Sequence, residues 1–176
     1  LVSAGLLLQA LWRVQNVAPG FDATGVLTLR TSLPVPKYDA TARRQQFYQR
    51  VLAEVRAMPG VGEAAYISFL PMVMRGGIWP VTVDGRREDP DNTHTASLRL
   101  VTPGFFDTLR IPVLNGRDVR DGDVVATPLV AVVSQSFVDR HWPGQEPLGR
   151  RLSLALGDLT VVGVVGDVKV RGLERE

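Results

Sequence analysis

Residues 26–34, VLTLRTSLP, alternate apolar and polar side chains with the two-residue period of a half-buried strand. The period then changes. Phe47, Val51, Val55 and Met58 recur at spacings of four, four and three, and Leu52 widens the stripe. This predicts an amphipathic helix within 41–60, stopped by Pro59-Gly60. Arg43 and Arg44 oppose the helix dipole near its start, so the stop is better defined than the beginning. A second strand is expected at 61–71, which completes a β-α-β unit whose helix crosses one sheet face.

The middle of the chain reads differently. Asp84-Gly85 follows an extended run and signals a tight hairpin turn. Residues 89–94 are polar and turn-rich, a loop, and 95–101 alternate again. Pro103-Gly104 precedes FFDTL, which suits one helical turn packed on a sheet. IPVLNGRDV reads as an extended segment closed by an Asn115-Gly116 turn. The last part repeats the first in outline. The apolar run 128–133 predicts a buried strand, Ser134 can cap a short helix stopped by Pro143-Gly144, and RLSLAL and LTVVGVVGDV form strands joined at Gly157-Asp158. The fold class expected is α+β, with helices on one sheet face and a second lobe between two halves.

The first twelve residues, LVSAGLLLQALW, carry no charge and are apolar nearly all round. A membrane span needs about 20 apolar residues, so this stretch is read as the end of a transmembrane helix. A signal peptide fits less well, because neither a basic leading region nor a clear small-residue cleavage site is visible.

Composition narrows the chemistry. The 176 residues are 45% hydrophobic and 22% charged with a net charge of +2, values of a folded chain without a nucleic-acid footprint. There is no cysteine, which removes disulfides, thiolate nucleophiles and cysteine metal sites. With only two histidines, His94 and His141, and no HExxH spacing, no metal and no cofactor are expected. Ser134, Ser136, Asp139 and His141 superficially suggest a hydrolytic triad, but there is no G-x-S-x-G elbow and Ser134 already has a capping role. Asp118, Asp121 and Asp123 lack calcium-loop spacing and alternate with Arg117 and Arg120, so mutual neutralisation is the simpler account. Gly163 and Gly166 lack a phosphate-loop pattern and are read as marks of a strand bend or close backbone approach. An enzyme is not expected.

Several ordered stretches carry a resemblance. They are NVAPGFD leading into VLTLRTSLP, VRAMPGV, VTPGFFDTLRIPVLNGRDV, VAVVSQSFVDRHWPGQEPLGRRL and VVGVVGDVKVRGL. In this order they resemble the extracytoplasmic core domain of MacB-type ABC transporter permeases, in the broader FtsX/LolC-like group, and especially the large duplicated permeases of soil bacteria. The resemblance implies a porter-like lobe of two βαβ-type halves interrupted by a smaller β-rich inserted lobe. The boundaries that follow are 1–18 for the helix end and connection, 19–71 for the first half, 72–127 for the inserted lobe and return segment, and 128–176 for the second half.

The same resemblance implies a function without catalysis at this domain. ATP-driven change would be relayed across an inner membrane to a domain on its periplasmic or extracellular side, in export or efflux. Implied partners are the membrane, a cytoplasmic ATPase domain or chain, a periplasmic adaptor or other protein, and a second copy in the full transporter, with no nucleic acid. Loop exposure makes Trp79, Arg86, Arg87 and His94 the candidate partner contacts. A freestanding extracytoplasmic ligand-binding or sensory module is the alternative, and a serine hydrolase is third.

Overall fold

The valine-rich segment near the C-terminus organises the molecule. A computed structural model describes residues 18–74, 76–84, 94–123 and 128–170. Its elements are α1 (Thr41–Arg56), β1 (Ile78–Pro80), β2 (Thr82–Val83), β3 (Thr95–Ser97), α2 (Phe105–Thr108), β4 (Val113–Gly116), β5 (Leu129–Ser134), α3 (Gln135–His141), β6 (Arg151–Leu154) and β7 (Gly157–Val165). The α+β class expected from the sequence is the class observed.

β7 pairs in parallel with β5 from Leu159 to Val165, and in antiparallel sense with β6 at its start and β4 at its end. A strand has two edges, so β5 takes one while β6 and β4 share the other. β2 then extends the sheet beyond β6, and β1 and β3 form a separate two-stranded ribbon.

Two of the three pairings of β7 slip by one residue, those with β5 and β4. Ala131 faces Val161 but Val132 faces Gly163, leaving Val162 as the extra residue; on β4, Leu114 is the extra residue between Val113 and Asn115. A bulge of this kind flips the side-chain alternation. Val161 and Val164 therefore enter one core, with Val81, Val133, Val138, Trp142 and Leu152. Val165 enters the other, with Phe105, Phe106, Leu109 and Ile111. Burial on both faces explains why residues 161–165 of this strand read Val-Val-Gly-Val-Val without polar alternation.

The structure corrects several expectations. Helices are not confined to one sheet face: α3 contributes Val138 to one core and α2 contributes Phe105 and Phe106 to the other. Residues 26–34 join no strand, and Leu27 and Leu29 stand exposed. Within 61–71 the ladder is a single antiparallel bridge, Ile67 to Val101, supported by Ser68 N donating to Leu100 O and Thr102 N to Tyr66 O. The first β-α-β unit is thus a helix between two extended segments.

α1 itself forms as expected but ends at Arg56, leaving Met58 exposed. Its aromatics are covered from outside the helix by Tyr38 on Phe47 and Tyr66 on Tyr48. Asn115-Gly116 does not close a turn either. Both residues lie inside β4, where Gly116 adopts φ 72° and a Cβ would collide with Val162 O. The β6–β7 hairpin turns at Ala155-Leu156, two residues before the expected Gly157-Asp158, because Gly157 already pairs with Leu154. Asp84 directly follows β2, and Gly85 lies outside the described residues, as do 89–93 of the expected loop. The ribbon partners of β1 and β3 are separated by residues 81–94, so Asp84-Gly85 is not a two-residue connection between them.

Candidate functional site

Four groups of contacts, of side chains in the first three and largely of main chain in the fourth, secure the return segment, the inserted strands, the ribbon and the chain ends. The first clamps 100–123. Gly104 precedes the single turn of α2 with φ 85°, and Asp118 Oδ2 accepts its N–H at 3.2 Å while Oδ1 accepts Val119 N–H at 2.6 Å. Asp118 thus supplies from a distance the acceptor that a short helix needs at its start. Burial pushes the Asp118 carboxyl above the ordinary range, against the pull of these two N–H donors. On the other side, Arg56 Nη2 donates to Ala64 O and Pro103 O, each at 2.8 Å, with Glu63 at 3.4 Å.

Arg117 and Asp123 make a two-pronged pair at 2.7 and 3.0 Å, and Arg120 N–H donates to the same carboxylate at 2.8 Å. The hydrogen bonds from Arg117 hold Asp123 below the usual carboxylate range, and the pair raises Arg117 above its ordinary value. Of the interleaved charges, Arg117 and Asp123 neutralise each other as expected, whereas Asp118 is held by backbone N–H groups.

The second group joins β2, α3 and β6. Trp142, 1% exposed, donates its indole N–H to Asp84 Oδ2 at 2.8 Å, and Arg150 Nη1 donates to the same oxygen at 2.8 Å. Arg150 also lies over the Trp142 ring at 5.8 Å and reaches Gln145 Oε1 and Glu146 O. Sequence reasoning missed this group as a unit. The available signal was the WPGQEPLGR stretch, whose first and last residues are Trp142 and Arg150. An open cleft of about 520 Å3 runs beside it, lined by Asp84, Arg150, Arg151, Ser153 and Asp158.

The third group contains two of the four candidate contact residues. His94 packs its ring edge-on against His141 at 4.6 Å, and His141 in turn lies on Phe137 at 4.3 Å. The two histidines, distant in sequence, therefore meet. Trp79 lies on β1 opposite Ala96 and is 36% exposed, beside the more exposed Ile78. Arg86 and Arg87 lie outside the described residues. Ser134 caps α3 by accepting Phe137 N–H at 3.4 Å, and Asp139 accepts from Gln135 at 2.7 Å. Ser136 Oγ contacts Ser134 Oγ at 3.2 Å, so the residues weighed as a triad are engaged in capping, helix-surface and ring contacts.

The fourth group lies where the described chain begins and ends. Lys169 N–H donates to Pro19 O at 2.8 Å, and a Cβ on Gly20 would collide with Asp167 O. Met72 N–H donates to Val170 O at 3.2 Å. Nearby, Arg110 at φ 51° donates to Asp22 Oδ2 at 2.7 Å. Hydrogen bonds from Thr24 first, and then the charge of Arg110, hold Asp22 below the ordinary range. Among the described residues no helix is long and apolar enough to cross a membrane, and no cluster of three or more His, Asp or Glu could hold a metal ion.

No curated protein sequence matches the chain. Among solved structures, it is similar to the periplasmic region of MacB from Actinobacillus actinomycetemcomitans, at 17% identity and a TM-score of 0.50 over 70% of this chain and 52% of that one. It is also similar to the extracellular domain of the noncanonic ABC-type transporter YknZ from Gram-positive bacteria, at 16% identity and a TM-score of 0.46 over 69% of this chain and 58% of that one. The chain thus matches little more than half the length of these relatives. The sequence profile of the MacB-like periplasmic core domain matches residues 7–174, nearly the whole chain, and the chain belongs to that family of ABC transporter permease domains.

Proposed function

We propose that this domain relays ATP-driven conformational change across a membrane to an extracytoplasmic partner or substrate, in a MacB/FtsX-like permease. One observation carries the reading. The two ends of the described chain are joined, Pro19 O to Lys169 N–H at 2.8 Å, so two connections to membrane segments would leave the domain at one place. Residues 166–170 continue directly from β7, the strand to which β4, β5 and β6 are bonded. A displacement at the joint would therefore load the sheet rather than a flexible tail. β6 passes it to β2, and the Asp84–Trp142–Arg150 group fastens that pairing to α3.

In this reading 19–71 and 128–176 are the two halves of the moving lobe, and 72–127 is the inserted lobe, whose β1–β3 ribbon faces the partner. Trp79 and the adjoining Ile78 supply exposed apolar contact area, Arg86 and Arg87 charge, and His94 a ring braced by His141. The cytoplasmic ATPase domain or chain, the inner-membrane location and a second copy of the permease belong to the same proposal.

Hydrogen exchange of the full-length permease in lipid nanodiscs tests it, comparing the nucleotide-free and ATP-trapped states. Protection is expected to change in 19–22, 166–170 and 78–97 together. Identical exchange throughout this domain in the two states would sink the relay reading. A secreted chain cleaved just before Leu1 would favour the freestanding module instead.

A further inference from the structure

Beside the paired chain ends stands a short apolar turn, 70–74, of sequence Leu-Pro-Met-Val-Met. Leu70 O closes it by accepting from Val73 N at 3.3 Å and Met74 N at 3.0 Å. Its tip is costly in two ways. Met72 adopts φ 64°, in a region few non-glycine residues occupy. Met72 is also 40% exposed and Val73 73% exposed, so the turn spends backbone strain on presenting apolar surface to solvent.

The position of the turn says what that surface meets. Met72 N–H is bonded to Val170 O, and the adjacent Lys169 N–H is bonded to Pro19 O. The turn, the outgoing chain and the incoming chain therefore lie side by side. The sequence before this point is the uncharged run 1–12 followed by Arg13, which is the polarity change of a segment leaving a lipid phase. Basic residues also flank these strands of chain in sequence: Arg75 follows the turn, and Lys169 and Arg171 bracket Val170. An apolar tip accompanied by long cations matches the headgroup–acyl boundary, where apolar side chains enter and cations meet phosphates.

We propose that the 70–74 turn is a membrane foot: Met72 and Val73 enter the lipid interface, while Lys169 meets anionic headgroups. The foot sets the tilt of the domain on its two membrane connections. It rests on the reading that these connections lead into a membrane.

The test uses the full-length permease in vesicles of phosphatidylcholine and phosphatidylglycerol. The 176 residues contain no cysteine; any elsewhere in the parent would be replaced by serine. Val73→Cys is labelled with a small environment-sensitive fluorophore, and Leu156→Cys, at the exposed β6–β7 turn, serves as the aqueous reference. Doxyl-labelled lipid is expected to quench Val73→Cys severalfold more than Leu156→Cys, with aqueous iodide showing the reverse order. Iodide quenching of Val73→Cys equal to the reference would overturn the foot, since the turn then faces water. Protection from both quenchers would overturn it too, since protein then covers the turn. Release of the unlabelled parent from vesicles by alkaline carbonate is a separate outcome, which removes the membrane reading itself and the foot with it.

Discussion

Asp84 receives the indole N–H of Trp142 at 2.8 Å, across 58 residues of sequence. The same carboxylate oxygen receives Arg150, so one acid secures both the most buried aromatic among the described residues and the cation lying over it. Asp84 has φ 54°, a conformation Asp and Asn tolerate better than most residues. Asp84→Ala leaves a buried donor unsatisfied and a cation unpaired at a strained position, and is expected to cost about 2–4 kcal/mol in urea unfolding. Asp84→Asn keeps an acceptor and the backbone preference, and is expected to cost about 1 kcal/mol. Equal losses for the two would mean that charge alone matters there.

Asp118 and Asp123 are expected to titrate on opposite sides of the ordinary value of 3.8. Asp123 is held low by Arg117, so its contribution to stability is complete above 3.8 and is lost as pH falls through its lower folded pKa. Asp118 is raised by burial. Just above 3.8 the folded chain therefore holds a proton that the unfolded chain lacks, and this group's effect on stability worsens as pH rises through that window. Carboxyl-carbon NMR titration of the folded domain checks the order directly. Arg117→Gln should move Asp123 upward while leaving Asp118 above 3.8; an unmoved Asp123 would show that the ion pair is not the cause.

The parts legible in the sequence were those whose cause is local. The four-four-three spacing through Phe47, Val51, Val55 and Met58 located α1, Ser134 announced its own cap, and Pro103-Gly104 before two phenylalanines marked the single turn of α2. Register is not local, and even the expected β6–β7 hairpin turns two residues early. Val161 and Val164 share a face only because Val162 bulges, and nothing in a run of valines marks which one steps out. Leu27 and Leu29 alternate with polar residues as strand residues do, yet alternation supplies no partner. Asp84 and Trp142 were each visible, but no spacing rule connects residues so far apart.

Gly116 is the position at which a methyl group should do most harm. Its φ is 72°, and an added Cβ would meet Val162 O, Leu148 and Gly163 inside the β4–β7 ladder. Two of those obstacles are backbone and cannot swing away. Gly116→Ala is expected to cost on the order of 2–4 kcal/mol, or to prevent folding. Gly62→Ala is the control: an added Cβ there would have no neighbour within 4 Å, and its φ is not positive, so a change within about 0.5 kcal/mol is expected. Thermal or urea unfolding of the two variants side by side decides it.

Leu27 and Leu29 provide the sharpest contrast between sequence pattern and structure. Their 82% and 84% exposure means that polar replacement removes almost no buried area. Leu27→Ser with Leu29→Ser should therefore shift the unfolding free energy of the isolated domain by less than about 1 kcal/mol in total. Val26, between the same turn and the same extended run, is packed on the Phe105–Phe106 core. Val26→Ser should cost about 1–3 kcal/mol, since it loses packed apolar area and brings a hydroxyl towards that core. If the double leucine variant loses as much as Val26→Ser, residues 26–34 are paired in solution and the half-buried strand read from the alternation is restored. If only Val26→Ser is destabilised, the leucines are surface that the isolated fold does not use, and their alternation then belongs to contacts outside this domain's own core.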